Sequence, residues 1–263
     1  MKKLLVVLLA FITTVSAFAG GKKDQAGSTL DQIKKAGVLT IGTEGTYPPY
    51  SYHNEADELV GYDVDIAKAI AAKLGVKAQF IESHWDSLII GLDTQHWQVV
   101  INQVGITPQR QEKYDFTTPY TYTRGALIVR SDDTSISAFD DLAGKKSAQT
   151  VTSNWAQLAQ RYGAELVGTD GFNQSIDLVL SGRADATIND DVAFYDYLKQ
   201  HPNNAAKIAA LSDDVSVNGV ILSKNQPELL AAINTALDEL YKAGIIKEIS
   251  MKYFNQDISV ASK

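Results

Sequence analysis

The chain reads as an α/β protein made of two α/β units, and three observations carry that reading. Short β-branched or apolar runs alternate with helical patterns from Thr29 onward. The alternation starts afresh after Lys145. Two extended segments, 120–129 and 215–222, lie where the chain would pass from one unit to the other and return. A βαβα order implies a mostly parallel sheet flanked by helices. The 263 residues, 45% of them hydrophobic, suit about two domains of ~100–200 residues with a sizeable core. The expected arrangement is lobe 1 over 29–119 plus 219–263, lobe 2 over 125–214, hinge segments at 120–124 and 215–218, and a cleft between the lobes.

The N-terminus comes first in the chain. Met1-Lys2-Lys3 is a short positive region, 4–12 (LLVVLLAFI) is uninterrupted apolar sequence, and Ala17-Phe18-Ala19 sets small residues where a signal peptidase reads them. The apolar stretch falls well short of the ~20 residues of a bilayer span. A signal peptide cleaved after Ala19 is expected, and 20–28 (GGKKDQAGS) reads as a flexible leader. Cleavage removes two of the 24 basic residues and none of the 31 acidic ones, leaving 22 against 31, or −9. With no cysteine to carry a lipid, the expected product is a periplasmic or extracytoplasmic protein, not a lipoprotein.

In the first unit, 38–41, 78–81 and 99–101 read as strands, with helices at 63–74 and 85–92. Apolar residues at 66, 67, 70, 71 and 74 make a helical face rather than an alternation. The second unit offers helices at 155–162, 174–180 and 192–199 and strands at 165–167 and 184–188. Two further helices, 227–242 and 245–253, follow the second extended segment.

Composition removes several function classes. A net charge of −7 without a basic, aromatic-interleaved run excludes nucleic acid as an expected partner. The absence of cysteine excludes disulfides and thiol chemistry, and the four His, at 53, 84, 96 and 201, have no metal-ligand spacing. No metal and no cofactor is expected. There is no G-x-S-x-G elbow, and His84-Trp85-Asp86 are adjacent helix positions that face different ways, so no enzyme is expected.

Five places could hold a ligand. Glu44 and Tyr47 lie in 43–50 (TEGTYPPY), after the first strand, where α/β sheets place ligand loops. Pro48-Pro49 lacks the amide donors of a phosphate loop, so this loop displays aromatic rings or is simply a surface turn. Thr107-Pro108-Gln109-Arg110 is a helix start with a cation in the first turn, against the helix dipole. Arg110 therefore faces either an anionic ligand or a neighbour such as Glu112 or Asp115. Thr152-Ser153-Asn154 and Asn189-Asp190-Asp191 each precede a helix and are plain N-caps, unless the free amides of the first receive a carboxylate and Asp190 of the second accepts from an ammonium. Trp85 is core, surface, or a stacking plate over a ligand stem.

Together these segments resemble the periplasmic solute-binding proteins of polar-amino-acid ABC importers, bacterial solute-binding family 3. The matching pieces are 41–50 (IGTEGTYPPY), 59–75 (LVGYDVDIAKAIAAKLG), 84–92 (HWDSLIIGL), 99–110 (VVINQVGITPQR), 114–121 (YDFTTPYT), 141–146 (DLAGKK), 182–191 (GRADATINDD) and 252–255 (KYFN). The resemblance implies the type II periplasmic-binding-protein fold, closing around one amino acid and delivering it to a membrane permease, as a monomer. By position, Arg110 matches the family's carboxylate-binding Arg and Asp190 its ammonium-binding Asp. Tyr47 and Trp85 match the aromatics around the ligand side chain, with Glu44 on the same loop, and Ser153 and Asn154 the second-lobe segment meeting the carboxylate. Gly105 lacks a side-chain oxygen that relatives use, and Gln98 replaces an acid. The strings 101–107 (INQVGIT) and 149–155 (QTVTSNW) are similar to the cystine-binding branch, which adds Asn102 and Gln103 to the pocket and makes L-cystine the expected ligand, with glutamine or another polar amino acid the alternative. A cyclohexadienyl dehydratase-like enzyme on the same scaffold is the rival of another class.

Overall fold

A computed structural model describes residues 27–261. The expected signal peptide and residues 20–26 of the expected leader lie outside the described residues. Ser28, placed in that leader, instead caps the first helix: its hydroxyl accepts from Asp31 N, and the Asp31 carboxylate accepts from Ser28 N.

The first part of the chain runs α1 (Thr29–Ala36), β1 (Val38–Thr43), β2 (Thr46–Tyr47), β3 (Ser51–His53), β4 (Leu59–Val60), α2 (Tyr62–Leu74), β5 (Lys77–Glu82), α3 (Trp85–Asp93), β6 (Val99–Val100), α4 (Pro108–Lys113) and β7 (Tyr114–Phe116). It continues with β8 (Thr121–Arg130), a 3₁₀ turn (Phe139–Leu142), β9 (Lys146–Gln149), α5 (Asn154–Arg161), β10 (Glu165–Gly168), α6 (Phe172–Leu180), β11 (Ala186–Asp190), α7 (Asp191–Gln200) and β12 (Ala206–Asn218). It closes with β13 (Ile221–Ser223), α8 (Pro227–Lys242) and α9 (Ile245–Phe254). The apolar face expected of α2 is buried at Ile66, Ala67, Ile70 and Ala71, packed with α8 and α9.

Two five-stranded sheets, ordered β5-β1-β6-β13-β7 and β10-β9-β11-β8-β12, form the two units, with a small β2-β3-β4 sheet beside the first. Each large sheet is mixed rather than mostly parallel. β5-β1-β6 and β10-β9-β11 pair in parallel, whereas β13 and β7, and β8 and β12, are antiparallel to their neighbours. The reason is the returning chain. A strand entering from the other unit has no crossover helix to reverse it, so it joins its sheet antiparallel. β9 was not recognisable beforehand because Lys146-Ser147-Ala148-Gln149 has neither β-branched residues nor alternation.

The chain crosses between the sheets twice, from β7 into β8 and from β12 into β13. At the crossing Thr121, Tyr122, Thr123 and Arg124 pair with Asn218, Val217, Ser216 and Val215. A buried polar network braces it. Asp63 Oδ1 accepts from Gln103 Nε2 at 2.7 Å and Tyr120 Oη at 3.0 Å, and Gln103 Oε1 accepts from Asn218 Nδ2 at 2.9 Å. The main apolar cluster runs from Ile33, Leu39 and Ile70 to Ile176 and Phe194, passing between the units where Tyr47 meets Phe172 edge-on at 6.2 Å. Among the described residues no helix is long and apolar enough to cross a membrane, and no group of three or more His, Asp or Glu could hold a metal ion.

Candidate functional site

The loop after β1, the start of α3, the turn before α5 and the end of β11 converge on one small pocket. This is the placement of ligand loops at the C-terminal ends of parallel strands. Seven of the ten expected residues line it: Glu44, Tyr47, Trp85, Gln103, Ser153, Asn154 and Asp190. Asn102, Gly105 and Arg110 stand behind its wall.

Asp190 is 3% exposed. Its Oδ1 accepts from Thr123 Oγ1 at 2.5 Å and its Oδ2 from Tyr47 Oη at 3.0 Å, so the contact with Tyr47 spans the two units. Tyr47 also donates to Asn189. Burial, only partly offset by these donors, pushes the Asp190 carboxyl up to about 7. Glu44 is in the same condition: burial raises it to about 7, against the lowering effect of Asn102.

Asn102 is fully buried, and its side-chain oxygen is spent within the first unit. Its Oδ1 accepts from Glu44 N at 2.8 Å, Thr43 Oγ1 at 3.0 Å and Ser51 Oγ at 3.2 Å, while its Nδ2 donates to Glu44 Oε2 at 2.6 Å. It fixes the Glu44 loop rather than entering the pocket. Asn102→Ala is expected to cost about 2 kcal/mol, because buried donors lose their acceptor, and calorimetry should show the unfolding temperature several degrees lower. An unchanged value would mean that the loop finds other partners. Gln103 reaches the cavity wall, but its amide is committed to the crossing network described above.

Arg110 is 8% exposed and makes no ion pair among the described residues. Neither Glu112 nor Asp115 neutralises it; Asp115 pairs with Lys224 at 2.9 Å. Thr107 caps α4 through its hydroxyl, 3.3 Å from Arg110 N, as expected. The guanidinium donates to Gly105 O at 2.9 Å and Thr152 O at 3.3 Å, with its Cζ 5.4 Å from the Trp85 ring centroid. Burial lowers its pKa to about 10. Two of five N–H donors are occupied, so a planar fork remains for an anion. Gly105 contributes a carbonyl and space rather than a side chain: a Cβ there would lie 3.3 Å from Asn154 Oδ1 and 3.4 Å from Arg110 Nη1.

Ser153 caps α5, accepting from Ala156 N at 3.0 Å, and Asn154 opens that helix. Trp85 is 7% exposed, and its indole N–H is buried without a partner. Thr150, Trp155, Gly171 and Phe172 also line the cavity and were not expected there, as does Asn189, which the sequence offered only as part of the segment around Asp190. Trp155 lies against Gly125, where an added Cβ would come within 2.6 Å of its ring. A glycine in a strand is a signal for such an approach, but one that does not name its partner. Gln98, unexplained by sequence, ties β1 to the turn before β6: its Oε1 accepts from Thr40 N at 2.6 Å and from Thr40 Oγ1.

The arrangement presents a cation with vacant donors behind the wall, and in the wall two buried carboxylates with few donors, Glu44 from the first unit and Asp190 from the second, with aromatic rings beside them. Such a cavity complements a small zwitterion. The comparisons agree with that geometry. The family model for bacterial extracellular solute-binding proteins, family 3, matches residues 39–256. The L-cystine-binding protein TcyA of Bacillus subtilis is 39% identical over 268 aligned residues, covering 98% of this chain and 100% of that protein. The L-cystine solute receptor of Neisseria gonorrhoeae, in its unliganded open conformation, is 42% identical with a TM-score of 0.60, covering 89% of this chain and 100% of that one. An ancestral arginine-binding protein bound to arginine is 36% identical with a TM-score of 0.78, covering 83% and 98%. The greater likeness to a ligand-bound relative than to an open one of higher identity matches the contact of Tyr47 with Asp190 across the cleft. With the match spanning both sheets and the cavity between them, the chain belongs to the bacterial extracellular solute-binding proteins, family 3.

Proposed function

We propose that the protein captures an amino acid, L-cystine in the first place, between lobes 29–119 plus 219–263 and 125–214, and delivers it to an ABC permease from outside the cytoplasmic membrane after loss of residues 1–19. The observation that carries this is the pairing of a buried, unneutralised Arg110 with a buried, poorly compensated Asp190. The ligand α-carboxylate goes to the Arg110 fork and the first amides of α5, and its ammonium to Asp190 with Thr123 and Tyr47 beside it. Tyr47, Trp85 and Phe172 enclose the stem. Glu44 then faces the far end of the ligand, and a second ammonium there relieves a second buried carboxylate. The unpartnered Trp85 N–H is a donor for an acceptor at the same end, which the second carboxylate of cystine supplies and the guanidinium of arginine does not. Binding across the cleft shifts an open-to-closed equilibrium, and the closed form is the one the permease receives.

The test is the unfolding temperature of the mature protein, stripped of carried-over ligand, against the common L-amino acids, L-cystine, prephenate and arogenate. A ligand at 100 times its Kd stabilises by about 2.7 kcal/mol. A shift with L-cystine is expected, with a smaller one for L-arginine. Shifts confined to other amino acids would reject cystine but keep the importer. Consumption of prephenate or arogenate would replace binding with the dehydratase reading.

A further inference from the structure

Thr152, in the turn before α5, is held from the opposite unit at all three of its polar positions. Asp86, in the first turn of α3, accepts through one carboxylate oxygen from Thr152 Oγ1 at 2.6 Å and Thr152 N at 3.2 Å. Arg110 Nη2 donates to Thr152 O at 3.3 Å. Neither holder lines the cavity: Arg110 stands behind its wall with two N–H donors engaged, and the Asp86 carboxylate contacts only the Thr152 turn among the described residues. The next residue, Ser153, caps α5. The peptide that Asp86 grips thus sets where the α5 N-terminus stands above the guanidinium.

We infer that Asp86 and Thr152 form a closure latch, with Asp86 a positioning residue that stabilises the closed form without touching the ligand. The inference rests on the proposed capture of an amino acid between the lobes. A charge-assisted pair made only when the units meet favours closure by its full interaction, because in the open form both groups return to water. Such a term multiplies the affinity of every ligand by the same factor and resides in the dissociation rate, which is how a contact remote from the ligand differs from one that reads it.

The test uses the mature full chain with Asp86→Ala, Asp86→Asn, Thr152→Ala and the double variant Asp86→Ala/Thr152→Ala. Asp86→Ala is expected to weaken L-cystine and every other amino acid that the wild type binds by the same factor, about tenfold, through faster dissociation. Asp86→Asn keeps an acceptor oxygen and should recover most of the loss. The two alanine variants should be less than additive in combination. A loss that differs among ligands, additive single effects, or unchanged affinity would overturn the latch.

A second measurement keeps the latch separate from the ligand assignment. Because the chain lacks cysteine, dyes on Lys68→Cys and Gln160→Cys report the distance between α2 and α5 in single molecules without ligand. Asp86→Ala should shorten the lifetime of the short-distance state about tenfold, and equal lifetimes would overturn the latch. If the wild type bound no amino acid, the proposed function would fail and this lifetime would still decide the latch.

Discussion

Arg110→Ala is expected to abolish ligand-induced stabilisation while leaving the ligand-free protein as stable as the wild type or more so. Both halves follow from the same fact. Arg110 is buried with two carbonyls and an aromatic ring for company and no carboxylate, so in the ligand-free chain its charge is a cost. Removing it relieves that cost. Once a ligand carboxylate occupies the fork, the same charge becomes half of a buried, hydrogen-bonded pair. Truncating one partner of such a pair costs about 2–5 kcal/mol, roughly thirty-fold to several-thousand-fold in Kd. Arg110→Lys should recover little, because an ammonium offers a point charge in place of a planar fork and cannot reach Gly105 O, Thr152 O and the ligand together. Titration calorimetry on the three proteins checks the affinities and thermal unfolding checks the stabilities. Binding by Arg110→Ala within about threefold of wild type, far below the loss of a buried charge partner, would remove Arg110 from the site.

How much of this was readable beforehand depends on the range of the signal. The α2 face, the Thr107-Pro108 start of α4 and the Ser153 cap are written within a few residues, and the structure has each of them. The resemblance supplied Glu44, Tyr47, Trp85 and Asp190, all in the cavity wall. Asn102 and Gly105 show the limit. A motif places a residue near a site, but only three-dimensional partners reveal that Asn102 binds the Glu44 loop and that Gly105 acts through its carbonyl. Phe172 was missed, and Thr152 was legible only as part of a helix cap, because their roles across the cleft exist only between units distant in sequence. Tyr47 and Phe172 stand 125 positions apart, and no local pattern in either segment encodes their meeting. The antiparallel strands in each sheet have the same origin, since direction depends on where the chain returns.

The second large effect is on pH. In the ligand-free chain Glu44, Asp63 and Asp190 are each raised to about 7, with burial the leading cause for all three. Their unfolded counterparts titrate near 4. The folded chain therefore holds protons more tightly between about pH 4 and pH 7, and unfolding releases them. The stability these groups contribute is complete below about pH 4 and is lost as pH rises through about 7. The ligand reverses this dependence at the two carboxylates that line the cavity. An ammonium beside Asp190 favours its charged form, so binding below pH 7 must expel a proton, and Kd should fall about tenfold for each pH unit gained from 5 to 7. A ligand with one ammonium gives a slope of one in log Kd against pH. A ligand that sets a second ammonium against Glu44, as a two-headed amino acid does, gives a slope approaching two. Asp63 braces the crossing strands and does not line the cavity, so Asp63→Asn should flatten the pH dependence of stability and leave the binding slope alone. Glu44→Gln should lower the slope from two to one for L-cystine and leave it unchanged for a ligand with a single ammonium. A Kd for L-cystine that stays level from pH 5 to pH 7 would mean that neither carboxylate meets an ammonium.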